Sequence, residues 1–139
     1  MPSTPDYLSG DFSGCATGAF VNGLTNLASF QTAAGKNLAV ILWYVHWSDP
    51  FPTAEADQVE ANGSIPLITW EPWLTAEAGT LEAIAAGSYE SYVTQFLTAA
   101  KNWGKPLFLR FAHEMNGNWY PWDGAHNGGA AGAAKYKAA

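Results

Sequence analysis

Eight consecutive apolar residues, Leu38-Ala-Val-Ile-Leu-Trp-Tyr-Val45, constrain this chain most. The run is rich in β-branched and aromatic side chains and offers no polar face to water. It reads as a strand buried on both faces, the environment of a parallel sheet covered by helices. Parallel neighbours need long crossover connections, and the flanking segments supply them. Upstream, Gly18-Ala-Phe-Val21 is a short first strand, and Leu24, Leu27 and Ala28 fall at helical spacing before a C-capping Gly35. Downstream, Pro52 and Thr53 open a helix through about Ala61, which Asn62-Gly63 stops. Ile65-Pro-Leu-Ile-Thr69 is the third strand, and residues 74–87 read as a loop with a helical turn around Leu81 and Ile84. An amphipathic helix follows, with Ser88 as its cap, Tyr89, Tyr92, Val93, Phe96, Leu97 and Ala100 on one face, and Gly104 at its end. Pro106 leads into a fourth strand, Leu107 to Ala112, broken only by Arg110. Lys135 to Ala139 starts another helix, and residues 1–17 are a weakly structured lead-in rich in Pro, Ser, Gly and Thr.

Three βα units and a fourth strand predict an α/β fold with right-handed crossovers. The polar and aromatic residues share one location. His46 and Trp47 close the second strand, Trp70, Glu71 and Trp73 the third, and His113, Glu114 and Asn116 the fourth. The C-terminal strand ends are where a (βα)8 barrel gathers its active site from several strands. Trp119, Tyr120 and Trp122 follow at once. A carboxylate beside an imidazole and an amide, under indole rings, suits sugar cleavage. Glu114 gives or takes a proton, and the indoles offer flat apolar faces to the C–H side of a pyranose. A merely solvated turn has no use for two Trp and a Tyr.

The bland readings stand beside these. Of the mid-strand pair Trp43 and Tyr44, one packs under helices and the other faces the barrel interior. Trp103 covers core at a helix end. Arg110, apolar-flanked, needs a carboxylate partner, and Glu71 is the candidate. Asp49, Glu55, Asp57, Glu60, Glu77, Glu82 and Glu90 read as solvated surface, and His126 as solvated in a Gly-rich stretch.

At 139 residues the chain is one domain. A net charge of −6 argues against nucleic acid, whose phosphates need Lys and Arg, and leaves neutral polysaccharide compatible. No run approaches the ~20 apolar residues of a membrane span. Cys15 is alone, so no internal disulfide forms. The opening Met-Pro-Ser-Thr-Pro lacks a basic n-region and an apolar h-region, so the protein is either cytoplasmic or carries a start Met in place of a signal peptide. No cofactor or metal is expected. His46, His113 and Glu114 lie on different strands and match no zinc spacing. Gly128-Gly129 lacks the strand and the rest of a phosphate-binding fingerprint, and no Ser sits in a nucleophile elbow.

The thirteen residues Arg110-Phe-Ala-His-Glu-Met-Asn-Gly-Asn-Trp-Tyr-Pro-Trp122 resemble the acid/base signature of glycoside hydrolase family 26, which holds β-mannanases, mixed-linkage β-glucanases and some β-1,3-xylanases. Trp70-Glu-Pro-Trp73, His46-Trp47, and Leu81 to Tyr92 with Ile84, Gly87 and Tyr89 agree, so the resemblance covers roughly residues 18–139. It implies a secreted retaining hydrolase on a (βα)8 barrel, acting on β-linked polysaccharide. Glu114 would be the general acid/base, His113, Arg110 and Asn116 its support, and Trp119 part of the sugar platform. Tyr120, Trp122, His46, Trp47, Trp70, Glu71 and Trp73 complete the candidate substrate-binding set. The Tyr-Pro-Trp ending looks more like the glucanase-type members than the mannanases, which more often carry Phe-Trp-Trp.

The resemblance also sets a departure. A retaining glycosidase uses two carboxylates about 5–5.5 Å apart, and in this family the nucleophile is a Glu at the end of strand seven. Four strands make only the N-terminal half-barrel. Three readings follow. The chain is a fragment; or two copies close one barrel as a C2 homodimer, Glu71 of one facing Glu114 of the other; or the aromatic cleft binds carbohydrate without cleaving it.

Overall fold

The computed structural model describes residues 14–73 and 80–139. Residues 1–13 of the lead-in, the first part of the loop before Leu81, and Glu77 lie outside the described residues. Four parallel strands run in the order β1 (Gly18–Phe20), β2 (Val40–His46), β3 (Ile65–Glu71) and β4 (Phe108–Phe111). Among the described residues five α-helices accompany them: α1 (Leu27–Ala34), α2 (Thr53–Ala61), α3 (Thr80–Ala85), α4 (Glu90–Trp103) and α5 (Gly132–Ala138). The fold is mixed α/β. No helix among the described residues is long and apolar enough to cross a membrane.

Local chemistry sets the boundaries. Leu24–Asn26 forms a 3-10 turn before α1, and Gly35 ends that helix in the left-handed conformation at φ 63°. Gly18 admits β2 closely, since a Cβ there would meet Val40 at 3.1 Å. Pro66 sits inside β3, where a proline normally breaks a ladder. Its neighbour Ile65 donates to Ala39 O on the β2 side, so by alternation Pro66 faces β4. Pairing with β4 begins only at Leu67, opposite Phe108, and no ladder bond is lost. The turns entering β2 and β3 are tied by a reciprocal amide pair between Gln31 and Asn62, and by Ser64 Oγ donating to Leu38 O.

Strand alternation sorts the core. Ile41, Trp43 and Val45 of β2 and Ile68 and Trp70 of β3 face the helices, against Leu27, Ala56, Val59 and Phe96. Trp70 stacks on Phe96 with ring centroids 4.3 Å apart and lies 5.2 Å from Trp47. The Trp70 indole donates to the Tyr92 hydroxyl, which donates to Asp49 O, each at 2.9 Å, fixing α4 across the ends of β2 and β3. Trp103 packs beside Phe51 and donates to Asp57, as its place at a helix end predicts.

Three expectations are corrected. Ser88 does not cap α4: Tyr89 is the N-cap residue and its side chain makes no capping bond. Leu97 lies 44% exposed, because the covered face of α4 is centred on Phe96. And β2 is not buried on both faces. Its helix-facing residues are covered, but Tyr44 stands 43% exposed on the opposite face, with Phe20 at 5.5 Å as its aromatic neighbour.

Because Phe96 anchors the Trp70 stack, Phe96→Ala should cost about 3–5 kcal/mol of unfolding free energy. Urea denaturation followed by circular dichroism measures this; a loss under ~1 kcal/mol means the stack does not hold α4.

Candidate active site

β2 and β3 finish level with each other, His46 paired in register with Glu71. One strand further, Ala112 N donates to Trp70 O at 3.0 Å and extends the ladder past β4. The chain then reverses. Ala112 and Glu114 both adopt positive φ, 43° and 55°, a conformation that non-glycine residues rarely take. The reversal sends adjacent side chains in opposite directions: His113 is 5% exposed, Glu114 open to solvent.

The surroundings hold this geometry. Trp122 Nε1 donates to His113 O at 2.7 Å, and the Tyr136 hydroxyl lies 3.0 and 3.1 Å from the carbonyls of Phe111 and Ala112. Gly117 N donates to Glu114 O, and Gly124 N to Met115 O. Asp123, fully buried, organises the following loop. Its carboxylate accepts the N–H groups of Tyr120 and His126 and pairs with the His126 ring at 2.8 Å. Burial works to raise the Asp123 carboxyl, but the His126 and Tyr120 N–H groups outweigh it and hold it below the ordinary value. His126, expected to be solvated, is half exposed and tied to Asp123.

The site's electrostatics follow from burial. His113 Nε2 lies 3.0 Å from the Tyr120 hydroxyl, and Nδ1, without a hydrogen-bond partner, lies 3.9 Å from Glu71 Oε1. Burial, then the Arg110 charge, pushes the imidazole down, with Glu114 opposing; His113 is therefore neutral at pH 7. Burial pushes the Glu71 carboxyl up, against the pull of the Trp73 side chain, His46 and Arg110. Tyr120 rises for the same first reason, with the charges of Glu114 and Glu71 adding to it.

Glu114 Oε2 accepts the Trp119 indole N–H at 2.8 Å, and Trp119 is 59% exposed. An open carboxylate therefore stands beside an open indole face, over a neutral imidazole and a tyrosine. Tyr120 stacks on Trp122 at 4.4 Å, and Trp73 meets both rings edge-on. His46 is exposed, its Nδ1 2.8 Å from Ser48 Oγ.

Several sequence expectations fall here. Trp47, Trp70 and Trp122 are buried rather than open; they are the packing on which the site rests. Arg110 does not pair with Glu71. Its Nε donates to Thr69 Oγ1 at 3.0 Å, because Thr69 is its cross-strand partner, and no carboxylate reaches it among the described residues. Asn116 makes no hydrogen bond to Glu114 among the described residues. It lines a cavity of about 590 Å³ with Met115, Trp122 and Tyr136. Tyr44, whose ring lies 5.5 Å from His113, joins the site unannounced by any motif. Among the described residues, no three His, Cys, Asp or Glu side chains gather closely enough to hold a metal ion.

No family model matches the chain. Over 98 residues it is 41% identical to Endoglucanase H of Acetivibrio thermocellus. The match takes in 69% of this chain and spans about a tenth of that protein's length. Part of this chain is thus homologous to part of an endoglucanase.

The Glu71 shift gives a signed prediction. Its folded carboxyl titrates above the unfolded one, so ionisation costs stability as pH rises through the folded value. Glu71→Gln should therefore raise Tm at pH 7, and the gain should shrink to little by pH 4, where both the folded and the unfolded carboxyl are mostly protonated. Thermal unfolding at the two pH values checks this; a lower Tm at pH 7 means the charge is stabilised in place.

Proposed function

We propose that this chain is the acid/base half of a retaining endo-β-glycanase of the glycoside hydrolase family 26 type, with Glu114 as general acid/base. The observation that carries the reading is the pairing of an exposed carboxylate with an exposed indole at the end of β4. The likeness to Endoglucanase H supports a glycanase, and with the Tyr-Pro-Trp ending it favours a β-1,4-containing glucan over mannan. A parallel sheet with helices on one face fits the first four units of a (βα)8 barrel. A polymeric substrate calls for an enzyme outside the cell.

In the first step Glu114 donates its proton to the leaving glycosidic oxygen as the C–O bond breaks and a second carboxylate bonds to the anomeric carbon. In the second step Glu114 takes a proton from water, whose oxygen displaces that carboxylate. Trp119 offers the sugar its open face while its N–H holds one oxygen of Glu114. Neutral His113 holds the Tyr120 hydroxyl without adding a positive charge beside the acid. The family places the second carboxylate on strand seven. Association of two copies offers another source, Glu71, since β1 and β4 are edge strands among the described residues and carry exposed Phe20 and Phe108. Light scattering that gives a monomer at micromolar concentration removes this second source.

Reducing-sugar release from mixed-linkage β-glucan tests the reading. Where two copies complete the site, Glu114→Gln should lower release at least ~100-fold, while calorimetry shows oligosaccharide binding retained. Trp119→Ala should weaken that binding about tenfold, the worth of one partly buried aromatic face. Equal release by Glu114→Gln and the unaltered chain contradicts the assignment. Binding without release by the unaltered chain removes the two-copy site and leaves two readings, a half-barrel that lacks its second carboxylate and a non-catalytic binder.

A further inference from the structure

We propose that Gly117 is a positioning residue for Glu114, acting through the Trp119 indole; the inference rests on the acid/base reading above. A Cβ built on Gly117 would lie 2.8 Å from both Cε2 and Cζ2 of Trp119 and 3.1 Å from Cδ2. Carbon atoms in contact settle at about 3.5–4.0 Å. Any side chain at position 117 therefore displaces the ring. That ring is the one whose Nε1 donates to Glu114 Oε2 at 2.8 Å.

Two further facts make the glycine decisive. Trp119 is 59% exposed, and among the described residues its nearest aromatic neighbour, Tyr120, is 6.4 Å away centroid to centroid, so no packed core of described residues fixes the indole. The bare Gly117 main chain is the surface it lies on. And Gly117 is absent from the glycines with positive φ among the described residues, so an alanine there meets no backbone strain. The requirement for glycine is one of space alone. Gly117 N also donates to Glu114 O at 2.9 Å, which closes the turn that brings position 117 under the indole.

The consequence for the carboxylate is directional. With Oε2 held by the indole N–H, Oε1 is the oxygen free to exchange a proton with the glycosidic oxygen. A residue larger than glycine at 117 lifts the indole, releases Oε2 and leaves the side chain free to rotate.

Nitrogen–proton correlation spectra of the seven indole groups test this without turnover. The Trp119 signal is assigned by its loss in Trp119→Phe. In the unaltered chain, Glu114→Gln should move that signal, because the charged acceptor is gone. Gly117→Ala should move it comparably and leave the other six in place. In the Gly117→Ala background, Glu114→Gln should then move it no further. A Trp119 signal unmoved by Gly117→Ala, or a full response to Glu114→Gln in that background, overturns the proposal. So does a change spread over the other six signals, which would make Gly117 a general requirement of the fold. The readout involves no substrate, so it stands apart from the outcome of the hydrolysis assay.

Discussion

The hydrogen bond from the buried Trp122 indole to the His113 carbonyl is the contact on which the candidate site depends. It pins the peptide between two residues in the left-handed region, Ala112 and Glu114. Such residues cost about 1–3 kcal/mol each and persist only where the surroundings over-determine them. Here the surroundings are explicit. Tyr136 reaches the carbonyls just before the reversal, Gly117 and Gly124 donate to the carbonyls just after it, and Trp122 is buried beneath it. The reversal lets one dipeptide place an imidazole inside and a carboxylate outside.

Burial then assigns the chemistry. His113 is driven neutral, and Glu71 resists ionisation at the other side of the imidazole. Arg110 would disturb this balance if it reached Glu71, but Thr69 holds its guanidinium on the sheet. Its charge is still felt at both groups. Glu114 stays in solvent, and among the described residues its carboxylate is held by an indole that is itself exposed. A proton-transferring group needs that combination of access and orientation.

Much of the fold was legible because each signal had one physical reading. The apolar run through Val45 had to be a parallel strand, though only its helix-facing side is covered, and Gly35 and Gly104 sit where left-handed helix ends require them. The convergence of His46, Glu71 and His113 followed from strand ends alone. The roles of the tryptophans were not legible. Trp47, Trp70 and Trp122 stand at or just past strand ends, as Trp73 and Trp119 do, and only tertiary packing leaves Trp119 open, Trp73 half-buried and the other three buried. Arg110 finds Thr69 rather than Glu71 because a strand's cross-neighbour depends on register, which the sequence does not state. Asp123 sits in a Trp-Asp-Gly turn that looks like any surface turn. Its importance lies in three contacts with Tyr120 and His126, all made after folding.

The most direct measurement is a crystal structure of the Glu114→Gln chain with a mixed-linkage β-glucan oligosaccharide bound. The expected result is a sugar ring against Trp119 and a glycosidic oxygen within hydrogen-bond distance of the substituted side chain at position 114. An oligosaccharide seated instead in the cavity between Asn116 and Tyr136, away from position 114, would contradict the assignment of Glu114 as the acid/base.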